Sequence, residues 1–307
     1  MEAVRVSNSG VAIEEKAPEP RPGPGEVLIR VAAAGVILPE LGWYSSTHNK
    51  AGQPRSGAIP GHEFSGVVAG LGADVGALEV GHGVLGMNDW YSDGAMAEYC
   101  VAPFFAVAPK PASLTYAQAA SVPISALTAW QGLFDHAKLR RGEQILIHGG
   151  AGAVGGFAIQ LAHLFGAHVT TTASPRDHDF ARHLGAERVI DYHQSRFEDI
   201  VQNMDIVFDT VGGATLDRSW SVLNPHGRMV TTVSSDNSTD PRAKKAFFIV
   251  EPNQKQLVEI ARLLDAGKLR TFVDSVVLLS QAPDLYAGKV ERKGRGKVVV
   301  SVADIYA

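Results

Sequence analysis

Residues Gly150-Ala151-Gly152-Ala153-Val154-Gly155 form a G-x-G-x-x-G turn with an apolar strand, 144–148, before it and an amphipathic helix after it. The helix is read from Val154, Phe157, Ala158, Leu161, Ala162 and Phe165, a stripe at helical spacing that Gly166 closes. Strand, tight turn and helix direct backbone N–H groups and the positive end of the helix at one point, an arrangement suited to a pyrophosphate. Gly152 permits close backbone approach, and Gly155 lets the helix pack on the strand. A glycine-rich turn can also serve packing alone, so its surroundings decide. Strands at 168–172, 188–191, 205–209 and 228–233 alternate with helices at 179–184, 196–201 and 214–223. That rhythm predicts an α/β unit, a doubly wound parallel sheet covered on both faces.

The end of the second strand selects the dinucleotide. An NAD site carries an acid there, accepting from the ribose hydroxyls. Here the segment is Thr171-Thr172-Ala173-Ser174-Pro175-Arg176, with no acid at the strand end. A hydroxyl and a guanidinium suit a 2′-phosphate, so NADP(H) is expected. The alternative is that Arg176 is a solvated loop charge and Asp177 or Asp179 reaches the ribose.

The flanks are β-rich. Val27, Ile29 and Val31 alternate with Glu26, Leu28 and Arg30, and short apolar runs follow at 64–68, 95–101 and 104–108. The polar, Gly/Pro-rich stretch 45–60 reads as a long surface loop of the kind that often carries function. Leu127, Trp130, Phe134 and Ala137 recur at helical spacing, as do residues of 254–264, and strands return at 271–279 and 297–302. The 307 residues suggest two domains, and 45% hydrophobic with 20% charged residues excludes a disordered chain. A net charge of −4 without a basic face leaves nucleic acid out as a partner. No apolar run nears the roughly 18 residues of a membrane span, and the start MEAVRVSNSG has no signal-like apolar region. A cytoplasmic protein with no membrane partner is expected. The single cysteine, Cys100, excludes an internal disulfide and a Cys-rich zinc site and reads as a small buried hydrophobe.

Several segments fall in one family's order. They are Gly61-His62-Glu63-Phe64-Ser65-Gly66-Val67-Val68, Gly94-Ala95-Met96-Ala97-Glu98-Tyr99, Leu127-Thr128-Ala129-Trp130 and the 148–156 turn. Leu184-Gly185-Ala186 ahead of Val189-Ile190-Asp191-Tyr192, then Phe208-Asp209-Thr210-Val211-Gly212-Gly213 and Gly296-Lys297-Val298-Val299, complete the set. Together they resemble the medium-chain dehydrogenase/reductases over essentially the whole chain, most of all the zinc-independent quinone oxidoreductase-like (zeta-crystallin-like) branch. The resemblance implies a GroES-like β-rich catalytic domain from 1–115 and 270–307, a Rossmann NADP(H)-binding domain at 116–269, and a homodimer. It implies that Gly150, Gly152, Ala153, Val154 and Gly155 line the pyrophosphate and that Ser174, Arg176 and Tyr192 surround the 2′-phosphate. Thr128 and the loops at Val211, Val233 and Phe248 would flank the nicotinamide end.

Zinc enzymes of this superfamily use a Cys after the first long strand, the His of the G-H-E segment and a third ligand. Here the first position reads Ile37 and the later one Val122 or Ile124, and the four-Cys structural lobe is absent. Apolar side chains cannot ligate zinc, so no metal is expected, and His62 reads as a structural histidine at a turn. Many zinc-free members carry Asn-Pro-x-Asp where this chain has Ile37-Leu38-Pro39-Glu40. Ile37 in place of a polar Asn predicts a more apolar substrate mouth.

Without a Lewis acid, hydride delivery to a quinone or enone is favoured, because the resulting anion needs only hydrogen-bond donors and a proton. Ile37, Tyr44 and Thr128 are the candidate catalytic positions, with Trp43 or Trp90 available to stack on a flat ring. Each has a plainer alternative. Tyr44 and Trp43 anchor the loop, His48 beside Asn49 and Lys50 is solvated, and Asp89, Ser92 and Asp93 form a turn. Arg292, Lys293, Arg295 and Lys297 form a solvated edge, from which Lys297 would approach the cofactor phosphate. The expected function is an NADPH-dependent reductase of conjugated carbonyls, quinones ahead of enones. The alternatives are an enoyl or ene reductase of a biosynthetic pathway and a non-catalytic NADPH-binding sensor or structural protein.

Overall fold

The computed structural model describes residues 1–7, 10–14, 16–76, 78–233, 240–292 and 294–303; Lys293 of the basic cluster lies outside the described residues. In chain order the first elements are β1 (Ala3–Ser7), β2 (Gly10–Glu14), β3 (Glu26–Gly35), α1 (Tyr44–Thr47), β4 (Glu63–Leu71), β5 (Gly83–Met87), β6 (Tyr99–Pro103), β7 (Val107–Pro109), α2 (Tyr116–Ala120) and α3 (Pro123–Trp130). Next come β8 (Gln144–His148), α4 (Ala153–Leu164), β9 (His168–Ala173), α5 (His178–His183), β10 (Arg188–Asp191), β11 (Met204–Asp209), α6 (Gly213–Ser219), β12 (Leu223–Thr231) and α7 (Ala243–Ala246). The chain closes with α8 (Gln254–Asp265), β13 (Val273–Leu278), α9 (Ala282–Tyr286) and β14 (Lys297–Ser301).

These divide into two compact units, one of Met1–Ile124, Pro252–Gly267 and Thr271–Ala307, the other of Ser125–Glu251 and Lys268–Arg270. In the first, strands order β13-β14-β3-β4-β5-β7, with β6 also paired to β3 and a separate β1–β2 ribbon. Val27, Ile29 and Val31 are wholly buried along β3, as their alternation requires, and pack with Phe64, Val84 and Met96. The second unit is a parallel sheet in the order β10-β9-β8-β11-β12. Ile145, Leu146, Ile147, Val207 and Phe208 of its two central strands are fully buried, the continuous apolar pattern of a sheet covered on both faces.

Three segments differ from the sequence reading. The helix at 254–264 was expected in the nucleotide-binding part, yet α8 belongs to the first unit. Its Gln254 side chain donates to the carbonyls of Phe104 and Val107, and its Asp265 accepts from the N–H groups of Ala112 and Ser113. Capping of that kind is invisible to hydrophobic periodicity. The expected helix at 196–201 is only a single 3-10 turn, Phe197–Asp199, soon followed by Asn203 at φ +57°. The stretch 45–60 opens with the one-turn α1 and is then held by salt bridges. Arg55 pairs with Asp93 and donates to the carbonyls of Tyr91 and Ser92, while Lys50 meets Asp89 at 2.8 Å.

Candidate functional site

β8 and β11 run side by side at the centre of the parallel sheet, and the strand order reverses there. Ligands of doubly wound sheets bind beyond the carboxyl ends of the strands at such a point. The chain leaves β8 through Gly149 at φ +77° and enters α4 at Gly152, which caps the helix without any side-chain hydrogen bond. A Cβ on Gly150 would stand 2.2 Å from Thr171 Oγ1, and one on Gly155 would stand 2.2 Å from the Gly149 carbonyl oxygen. Both glycines are therefore required by the fold. At Gly152 the nearest neighbour of a Cβ is 3.2 Å away, so this position keeps the mouth of the turn shallow rather than packing the helix. The uncapped first turn of a twelve-residue helix behind a shallow glycine mouth fits a pyrophosphate.

Four strand ends are laced together below that turn. The Gly150 and Gly149 N–H groups donate to the Thr172 carbonyl and Oγ1 at 3.1 and 3.3 Å, and Thr210 Oγ1 donates to the His148 carbonyl at 2.8 Å. His148 is wholly buried, with Nδ1 3.1 Å from Thr172 Oγ1 and Nε2 3.0 Å from Ser219 Oγ. Ser219 already donates to the Thr215 carbonyl at 2.6 Å, so it accepts from Nε2–H and Nδ1 accepts from Thr172. Burial and the nearby Arg218 guanidinium lower the His148 pKa to about 4, which keeps the ring neutral. At the end of β11, Asp209 accepts from the N–H groups of Val211 and Gly212 and from the Thr231 hydroxyl. Burial pushes its carboxyl up against the pull of those donors. Gly212, at φ +75° and ψ −166°, has no room for a side chain, because a Cβ would lie 2.5 Å from Val233 Cγ1.

The loop of Val211 and Gly212 thus lies against Val233, and Tyr192 lines the same cleft as Val211. His148, Gly149, Thr172, Tyr192, Val211 and Arg218 line a cleft of about 520 Å³. Phe248 follows β12, donating its N–H to the Thr231 carbonyl at 3.2 Å and stacking on His136. Thr128 is buried on α3. At the end of β9, Ser174 Oγ donates to Asp177 Oδ2 at 2.6 Å and Arg176 Nε lies 3.5 Å from the same oxygen. Asp177 is buried, so its carboxylate is turned into the protein, while Arg176 is exposed beside it. Asp179 stands near Arg182 on α5.

Ile37, Tyr44 and Lys297 belong to the other unit. Ile37 is half-buried before the 3-10 turn Leu38–Gly42, and Tyr44 is exposed and stacked on His48 at 4.3 Å. Lys297 is not available to a phosphate as the sequence reading supposed. It is buried and ion-paired at 2.5 Å with the fully buried Glu63, because β14 and β4 flank β3 and bring the two side chains together. Cys100 is buried as expected, its thiol pushed up to about 12 by burial. Sequence reasoning missed the Asp209, His148 and Glu40 networks. Their long-range partners, such as Thr231 for Asp209, Ser219 for His148 and Tyr286 for Glu40, are distant in sequence.

A glycine-lined turn on a parallel sheet, joined to a β-rich unit, is the architecture of a nicotinamide-dependent oxidoreductase. Residues 23–112 match the alcohol dehydrogenase GroES-like domain, and residues 184–300 match the domain described as zinc-binding dehydrogenase. The chain is similar to the mitochondrial NAD(P)H oxidoreductase RTN4IP1 of Mus musculus, 33% identical over 91% of this chain and 82% of that protein. It is 31% identical to the 2-methylene-furan-3-one reductase of Solanum lycopersicum, over 90% of this chain and 71% of that one. The solved quinone oxidoreductase of Coxiella burnetii superposes with a TM-score of 0.87 at 31% identity, covering 99% of each chain. The chain belongs to the medium-chain dehydrogenase/reductase family. Among the described residues, no helix is long and apolar enough to cross a membrane.

The Asp209 loop yields a direct expectation. Asp209→Asn keeps the shape but puts an amide NH2 where Oδ2 accepts from the Gly212 N–H and the Thr231 hydroxyl, so dinucleotide affinity should fall about tenfold. Fluorescence titration of the reduced dinucleotide checks it, and unchanged affinity would remove Asp209 from the site.

Proposed function

We propose that this protein is an NADPH-dependent reductase of conjugated carbonyl compounds, quinones ahead of enones, working without zinc. The observation that carries the reading is the glycine turn with an uncapped helix start and an arginine, Arg176, at the next strand end. Gly150, Gly152, Ala153, Val154 and Gly155 would hold the pyrophosphate, Arg176 and Tyr192 the 2′-phosphate, and the Val211 and Val233 loop the nicotinamide side. Bound there, the reduced nicotinamide would supply a hydride. The protein's own part is to fix the loops through Asp209 and His148 and to keep water from the reacting atoms. Metal-free working is supported by residue chemistry: Ile37, and either Val122 or Ile124, stand at two positions where zinc enzymes of the superfamily have ligands, and none of these side chains can coordinate a metal.

Arg176→Ala should reduce the preference for NADPH over NADH about tenfold, the effect of one charge-assisted phosphate contact. Paired titrations with both cofactors measure it, and an unchanged ratio would sink the 2′-phosphate assignment. NADPH consumption on benzoquinones and alkyl enones, with and without chelator, tests the reaction. Chelator-resistant quinone turnover supports the proposal, while binding without turnover on either panel contradicts it. Ile37 favours a second reading, an enone reductase with an apolar mouth, which enone-only turnover would select.

A further inference from the structure

Ser174 is the first residue beyond β9, where an NAD site places its ribose-binding acid. Ser174, Arg176 and Asp177 all belong to the parallel-sheet unit. Pro175 restricts Ser174 to extended backbone, at φ −70° and ψ 155°. Ser174 and Asp177 stand where short polar side chains ordinarily cap a helix, one ahead of the 3-10 turn Pro175–Asp177 and the other ahead of α5. Neither side chain caps. The Ser174 hydroxyl instead donates to Asp177 Oδ2 at 2.6 Å, while the backbone closes the turn, with the Asp177 N–H on the Ser174 carbonyl at 2.9 Å.

The direction of that bond decides what Ser174 can recognise. A carboxylate paired with a guanidinium, as Asp177 is with Arg176 at 3.5 Å, has no proton to give. The single hydroxyl proton of Ser174 is therefore spent on Asp177, and the half-buried Oγ has only lone pairs left to offer. A phosphate dianion also only accepts, so Ser174 makes it no hydrogen bond. A ribose 2′-hydroxyl donates, and Ser174 Oγ can receive it. The exposed Arg176 guanidinium suits the opposite ligand, the 2′-phosphate. One strand end thus carries a donor for the phosphorylated ribose and an acceptor for the free one.

We propose that Asp177 is a positioning residue for cofactor choice: by holding the Ser174 proton it keeps Ser174 an acceptor for the adenosine 2′-hydroxyl of NADH. The chain then takes NADH as a second hydride donor beside NADPH. The inference rests on the dinucleotide reading above. Arg176 meets the phosphate of one cofactor, and Ser174 meets the hydroxyl of the other. This division corrects the expectation that Ser174 joins Arg176 around the 2′-phosphate, because a hydroxyl turned inward to a carboxylate cannot also donate outward.

The test is fluorescence titration of the full chain with NADPH, NADH and 2′-deoxy-NADH, the analogue whose adenosine ribose lacks that hydroxyl. Wild type should bind NADH about fivefold more tightly than the deoxy analogue, the weight of one neutral hydrogen bond. Ser174→Ala should abolish that difference and leave NADPH affinity within about twofold of wild type. Asp177→Ala releases the serine proton, so NADPH affinity should rise about threefold or more. Adding Ser174→Ala to it should then cost NADPH about fivefold, a loss absent from the wild-type background. A carboxylate that acted only through its charge would give the rise without this coupling. No preference for NADH over its deoxy analogue, an NADPH loss in Ser174→Ala equal to the NADH loss, or no coupling in the double variant would each overturn the proposal. Should Asp177→Ala fail to fold, Ser174→Ala decides alone, since NADPH would miss a serine that was free to donate. Wild type that binds neither dinucleotide, or an Arg176→Ala with unchanged cofactor preference, overturns the dinucleotide reading and this inference with it. An Arg176→Ala that behaves as expected beside an unselective Ser174→Ala overturns the inference alone.

Discussion

Replacing Lys297 by Met is expected to lower the unfolding free energy at pH 7 by about 3–5 kcal/mol, the effect of stranding one member of a buried ion pair. Glu63 is fully buried, and its carboxylate is held by Lys297 at 2.5 Å and by the Ile124 N–H at 2.9 Å. Burial raises its pKa while Lys297 pulls it down, so removing the ammonium leaves the raising force largely unopposed. In the variant, native Glu63 holds its proton at pH values where the unfolded chain has released it. The native state then binds more protons than the unfolded one, and stability must fall as pH rises. Urea denaturation should therefore show the deficit shrinking as pH drops toward the ordinary glutamate range. Glu63→Gln combined with Lys297→Met should recover most of the loss, because no charge remains buried. A single variant as stable as wild type at pH 7 would mean that the pair contributes nothing there.

The second large effect is acid sensitivity through His148. Its pKa is about 4 in the fold, against an ordinary value of 6.5. Between those values the unfolded chain carries the proton and the native protein does not, so stability rises with pH across the window. The contribution is complete above about pH 6.5 and is lost progressively toward pH 4, amounting to roughly 3 kcal/mol in all by linkage. Other groups titrate in the same range, so the comparison is with His148→Gln, which keeps a donor toward Ser219. The stability difference between the two proteins should change by about 2 kcal/mol between pH 7 and pH 5. A difference that stays flat with pH would show that His148 is not held neutral by burial. Because the same ring spaces the Thr172 and Ser219 side chains beneath the glycine turn, acid should also weaken dinucleotide binding before it unfolds the protein. Fluorescence titration at pH 7 and near pH 4, where the ring in the fold takes up its proton, reads that directly.

The parallel sheet was legible because its signals are local and periodic. An apolar strand, a glycine turn and a striped helix each announce themselves within a dozen residues, and Gly150 and Gly155 are needed for reasons of space that any such turn imposes. Val211, beside Gly212, was legible only through the family resemblance carried by the segment 208–213. Lys297 defeated it. A lysine in a basic stretch reads as solvated, and nothing nearby in the chain reveals that β14 will place it against Glu63, more than two hundred residues earlier. Asp177 was open to two readings until its burial and its bond to Ser174 turned the carboxylate inward.

By itself, then, the sequence determined the two kinds of unit, the glycine turn and the apolar residues at Ile37, Val122 and Ile124, since each depends on residue type and short spacing. Tertiary structure decided which charges are buried. Glu40 and Tyr286 stand 246 residues apart, yet they meet at 2.6 Å around His62. Desolvation and hydrogen-bond partners act at that range, and only the folded chain brings such residues together.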